Sequence, residues 1–202
     1  MQTRPAPTGP ITMPAVTGAA LLLVAILAAA AAATRWPVSA GPTVTYASRV
    51  ADAYASLVRY AQENPHDGRA WVLLAMAEKQ RGQWTAASAA FEHAMQSSPR
   101  AAADPALWCE WADALARAQG GSLEGRPSEL IEQALALDGA HPRAHEMAGR
   151  AAEGRGDHAG AVVYWQRLLP LLEPAGEARA QVSAAIERAQ RLAAATPPQP
   201  AR

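Results

Sequence analysis

Residues 68–101 form a thirty-four-residue unit in which large, small and turn-forming residues hold fixed places. Trp71, Leu74 and Ala75 take its fourth, seventh and eighth positions. Gly82 marks a turn, Trp84, Ala87, Phe91 and Ala94 follow at helical spacing, and Pro99 closes the unit. That spacing predicts two antiparallel helices. Small side chains at Ala75, Ala87 and Ala94 let the helices approach closely. Trp71, Leu74, Trp84 and Phe91 fill the space beside them, and Gly82 permits the tight turn. Glu78 departs from the pattern, standing where a large apolar residue is usual. A hairpin this small cannot bury its apolar face alone, so it must stack on neighbours like itself.

The neighbours are present, and the spacing resembles the tetratricopeptide (TPR) pattern. A second unit, about 104–141, opens at Asp104-Pro105, an N-cap followed by a first-turn proline. It carries Leu107, Trp108, Trp111, Ala112 and Leu115, then Leu130, Ile131, Ala134, Leu135 and Leu137. Its two halves are out of frame by three residues, and the surplus falls in the turn 119–127, where an exposed insertion leaves the packing intact. A third unit, 142–174, has small positions at Ala148, Gly149 and Ala152, a turn at Gly156, and Ala161, Trp165 and Leu168 on its second helix. Pro170 and Pro174 disturb or end that helix. Residues 47–63 give a leading helix with Val50, Tyr54, Leu57, Val58 and Ala61 on one side, stopped by Asn64-Pro65. Residues 176–195 give a capping helix, and 196–202 an unpacked tail. No window from 46 to 195 alternates apolar and polar residues long enough for a sheet. The expected fold is all-α, a TPR-type solenoid of helical hairpins over 47–195, with an N-terminal transmembrane helix.

That transmembrane helix is expected at 15–34, after a proline-rich leader at 1–14. The uncharged run from Ala15 to Ala33 would span roughly 27–30 Å at about 1.5 Å per residue, the thickness of a bilayer's hydrocarbon core. Arg35 and Trp36 follow, an arginine able to snorkel and an indole suited to the interface. A cleaved signal segment is the alternative, since Ala31 and Ala33 supply a small-x-small site. Residues 35–46 are a linker. A short tail before a large C-terminal domain places the N-terminus in the cytoplasm.

Composition narrows the chemistry. Eighteen basic residues balance eighteen acidic ones, which argues against a nucleic-acid partner. The single cysteine, Cys109, excludes an internal disulfide, a C-x-x-C pair and haem attachment through C-x-x-C-H. The sequence has no G-x-S-x-G, no Gly-rich phosphate loop after a strand and no H-E-x-x-H, so the chain is read as a non-enzyme without a cofactor. His141 and His145 are four apart, but Pro142 puts His141 at the helix start and no third metal ligand accompanies them.

The stretch Ala114-Leu-Ala-Arg-Ala-Gln-Gly-Gly-Ser-Leu-Glu-Gly125, then Pro127, Leu130 to Asp138 and His141-Pro-Arg-Ala144, is more particular than the generic repeat. So are Arg155-Gly-Asp157, Ala161 and Tyr164-Trp-Gln-Arg-Leu-Leu169. Together these resemble the periplasmic TPR domain of c-type cytochrome biogenesis proteins of the CycH/CcmI and NrfG kind, over roughly 47–192. The longer members of that family carry two membrane helices and a cytoplasmic loop, where this sequence has room for a single helix. His158 replaces a usual aromatic residue. The resemblance implies a single-pass protein of the bacterial inner membrane with its C-terminal domain in the periplasm. It implies a chaperone or adaptor that binds the C-terminal segment of an apocytochrome c and presents it to the haem lyase complex. The partners would then be apocytochrome c, haem lyase subunits and the lipid bilayer. A general envelope scaffold for another membrane complex is the alternative.

In such a repeat, positions two, five, nine, twelve and thirteen of each first helix face the concave side. They are Arg69, Val72, Met76, Lys79 and Gln80 in the first unit. The second contributes Cys109, Asp113 and Arg117, and the third Arg143, Glu146, Arg150 and Glu153. Cationic side chains beside a Met and a Val suit an amphipathic helix ending in a carboxylate.

Overall fold

The computed structural model describes residues 46–195. The expected leader, the transmembrane helix at 15–34, the linker up to residue 45 and the tail at 196–202 lie outside them. Among the described residues there is no strand, and no helix is long and apolar enough to cross a membrane.

The described chain runs through α1 (Tyr46–Glu63), α2 (Gly68–Gln80), α3 (Trp84–Ser97), α4 (Pro99–Ala102), α5 (Pro105–Ala118), α6 (Arg126–Leu137), α7 (Pro142–Gly154), α8 (His158–Leu168), a 3-10 turn (Leu169–Leu171) and α9 (Glu177–Ala195). The hairpins α2–α3, α5–α6 and α7–α8 are the three repeat units. Each first helix has a side-chain N-cap: Asp67 accepts from the Arg69 and Ala70 N–H groups, Asp104 from Ala106, and His141 Nδ1 from Ala144. His141 is thus an end cap, as Pro142 dictates. Pro99 both ends α3 and, with Ser98 as N-cap, opens the short α4, which the repeat pattern does not announce. The Trp108 indole N–H donates to the Ala102 carbonyl at 2.8 Å and ties α4 to α5.

The helices of each hairpin touch at the small positions. Ala75, Ala87, Ala94, Ala112, Ala134, Ala152 and Ala161 are all fully buried, with Phe91, Leu130 and Ile131 packed among them. At Gly149 the approach is too close for a side chain, because a Cβ there would lie 2.1 Å from Nε1 of buried Trp165. Burial divides into two clusters. The larger joins α2 to α7 with Tyr54, Leu57, Val58 and Ala61 of α1. The smaller gathers Ala152, Ala161, Trp165, Leu168, Ile186 and Ala189 around α8 and α9, and half-buried Tyr164 packs against both.

Glu78 is buried, with 7 % of its surface exposed, despite its charge. Its partners explain why it is tolerated. The Tyr54 hydroxyl from α1 donates to Oε1, and Arg81 lies 3.8 Å from Oε2 while stacking 3.9 Å over the Tyr54 ring. The carboxylate thus fixes the leading helix with a polar contact where the generic repeat uses an apolar one.

Two substitutions test this packing. Tyr54→Phe leaves the Glu78 carboxylate short of a donor and should cost about 1–3 kcal/mol in chemical denaturation. Gly149→Ala should lower the melting temperature by overpacking Trp165, at a cost of about 1–3 kcal/mol or more. Wild-type stability in either variant would contradict the contact it removes.

Candidate functional site

The first helices α2, α5 and α7 share one face, and a line of charge crosses it. Lys79 on α2 donates to Glu110 and, at 3.1 Å, to Asp113, both on α5. Asp113 also accepts from Arg117 at 3.2 Å, and Arg143 on α7 stands 3.8 Å from Glu110 and 4.0 Å from Asp113. Farther along α7, Arg150 lies 3.9 Å from Glu146, and Glu153 accepts from Arg188 of the capping helix at 2.9 Å. Lys79, Asp113, Arg117 and Arg143, singled out by repeat position, are therefore brought together, whereas Glu153 is tied to α9.

Two clefts border this line. One, at the start of α2 and α5, is lined by Arg69, Val72, Leu73, Arg100 and Leu107; Leu73 is 60 % exposed, and no ion pair engages Arg69 or Arg100 among the described residues. The other lies between α5, α7 and the enlarged turn, with Asp113, Arg117, Arg143, Glu146 and Arg150 on its charged side. Met76 and Val72 are half-buried against the core, and Gln80 is exposed.

Cys109 does not belong to the face. It is fully buried, 3.9 Å from Nδ1 of His141, and burial pushes its thiol up to about 11, so it neither meets a ligand nor acts as a nucleophile at neutral pH. Its small side chain turns toward the start of α7 and away from the solvent. Glu110 is the residue that repeat positions miss. Its spacing of three from Asp113 put both carboxylates on one helical face, a signal that was available. Repeat position likewise does not single out Leu73, Arg100 or the turn residues Gly121 and Leu123, which line the two clefts.

Partial burial pushes the Asp113 carboxyl up, but Lys79 and then Arg117 outweigh it and hold the group below the usual carboxylate range. A depressed folded pKa contributes stability above the unfolded value, about 3.9, and loses it as pH falls through the folded one. Asp113→Asn should therefore lower the melting temperature near neutrality and flatten its fall below about pH 4. Melting curves with the same acid slope in both proteins would show that the pairing is immaterial.

Residues 47–180 match the family described as the cytochrome c-type biogenesis protein H TPR domain. The chain is similar to the cytochrome c-type biogenesis protein CycH of Pseudomonas aeruginosa, 30% identical over 150 residues, which cover 73% of this chain and 36% of that protein. It is also similar to the CycH of Bradyrhizobium diazoefficiens, 28% identical over 111 residues, covering 55% of this chain and 29% of that protein. The chain thus spans about a third of the length of these relatives. Among solved structures, the first TPR of Spaghetti (RPAP3), bound to the HSP90 peptide SRMEEVD, aligns at TM-score 0.52 and 17% identity, covering 63% of this chain and 93% of that one. The crystal structure of MamA aligns at TM-score 0.52 and 11% identity, covering 71% and 88%. These likenesses establish the fold: an all-helical TPR-like solenoid.

Proposed function

Because the chain belongs to the cytochrome c-type biogenesis protein H TPR-domain family, we propose that it is a maturation factor for c-type cytochromes. Its face of first helices holds the C-terminal segment of an apocytochrome c and presents it to the haem lyase complex. The chain acts as an adaptor and leaves the ligation to its partners. We place it in the bacterial inner membrane as a single-pass protein, fastened by residues 15–34, with the TPR domain in the periplasm.

The observation that carries this reading is the family match over 47–180, which includes both the enlarged turn and the Tyr164-Trp165 ending. The inner face supports it physically. Exposed Arg69 stands with half-buried Val72 and Met76 on α2, and exposed Arg143 and Arg150 stand on α7, a mixture suited to a segment with apolar and acidic side chains. Backbone groups of the helices are satisfied internally, so recognition falls to side chains.

Titration calorimetry of the full chain in detergent, with a synthetic C-terminal segment of an apocytochrome c, tests it. Saturable binding is expected. Simultaneous alanine substitution at Arg69, Lys79, Arg143 and Arg150 should weaken it at least about tenfold and flatten its salt dependence. Unchanged affinity would reject this surface.

A further inference from the structure

The enlarged turn after α5 is more ordered than a surplus of residues on a surface requires. Gly120, Gly121 and Gly125 hold φ values of 82°, 95° and 71°, which other residues rarely adopt. The Gln119 side-chain amide donates to the Ser122 and Glu124 carbonyls at 2.8 and 3.0 Å. The Gly121 N–H donates back to the Ala116 carbonyl at 2.7 Å, and the Ser128 hydroxyl to the Leu123 carbonyl at 2.6 Å. Leu123 folds inward, half-buried against the larger core. So braced, Gly121 and Leu123 form a wall of the cleft whose other sides are Ala116 and Met147, with Arg117, Arg143 and Arg150 set against Asp113 and Glu146.

On the charged side of this cleft three arginines face two carboxylates, and the pairing of two of the arginines is loose. Arg143 stands 3.8–4.0 Å from Glu110 and Asp113, and Arg150 stands 3.9 Å from Glu146, all beyond hydrogen-bond reach. Lys79 already engages Glu110 and Asp113. Both guanidiniums therefore keep free donors, and a planar donor fork pairs best with a carboxylate. Arg117 differs: it donates to Asp113 and lies 4.8 Å over the Trp84 ring, which fixes it as part of the frame. The turn walls the cleft at the C-terminal end of α5, which matches a chain end better than a segment passing through.

We infer that this cleft takes the terminal carboxylate of the bound polypeptide. Arg143 and Arg150 grip the carboxylate, and the last apolar side chain rests against Leu123 and Met147. The enlarged turn is then a preformed recognition element that sets which chain ends fit. This rests on the reading of the inner face as a polypeptide-binding surface.

Calorimetry of the full chain in detergent, against the same apocytochrome C-terminal segment as free acid and as terminal amide, tests it. Wild type should bind the free acid at least about tenfold more tightly than the amide. Arg143→Ala with Arg150→Ala should bind both alike. These two side chains are exposed, so their loss leaves the core intact, and a melting curve verifies it. Leu123→Ala should weaken both ligands by a similar factor and keep the preference. Equal wild-type affinity for acid and amide, or a preference that survives the double substitution, overturns the inference while the binding function stands. Failure of wild type to bind either ligand overturns both.

Discussion

The close approach of paired helices at alanine and glycine positions is the constraint on which the rest depends. With Ala75 and Ala87 wholly buried in one hairpin, and Gly149 beneath Trp165 in another, the two backbones of a hairpin come near enough for large residues on either side to close over the seam. Phe91, Leu130 and Ile131 do this and are almost wholly shielded from water. Each hairpin then offers one flank to the next, and the first helices are left side by side with their remaining faces free. The arrangement of Lys79, Asp113 and Arg143 across three successive first helices follows from that geometry.

Much of this was legible in the residues. The repeat period, the helix stops at Asn64-Pro65 and Pro99, and the N-caps at Asp104 and His141 are local signals, and local chemistry decides them. What escaped depends on which side chains meet once the chain is folded. Glu78 reads as a flaw until Tyr54, twenty-four residues earlier, is found donating to it. The turn at 119–127 reads as slack until its own side chains are seen bracing it. Cys109 reads as a surface residue until His141, thirty-two residues later, is found beside it.

The candidate face was legible as a set of positions but not as a state of charge. Position gave Lys79, Asp113, Arg143 and Glu153. It did not show that Lys79 is held between two carboxylates or that Glu153 is engaged by Arg188. Such internal pairing makes the middle of the face a fixed pattern of alternating sign. A pattern of that kind rejects ill-matched ligands more than it strengthens attraction to the right one. Arg69, Arg100, Arg143 and Arg150, at the margins, retain the capacity to attract.

The boundary between the two apolar clusters falls inside the third hairpin. Ala144, Met147 and Ala148 of α7 belong to the larger cluster, Ala152 goes with α8 and α9, and half-buried Tyr164 is common to both. The capping helix therefore covers α8, while α7 is held by the hairpins before it. Stripping the cap would bare Trp165, Leu168 and Ala161 to water and leave the row of first helices supported from its other flank.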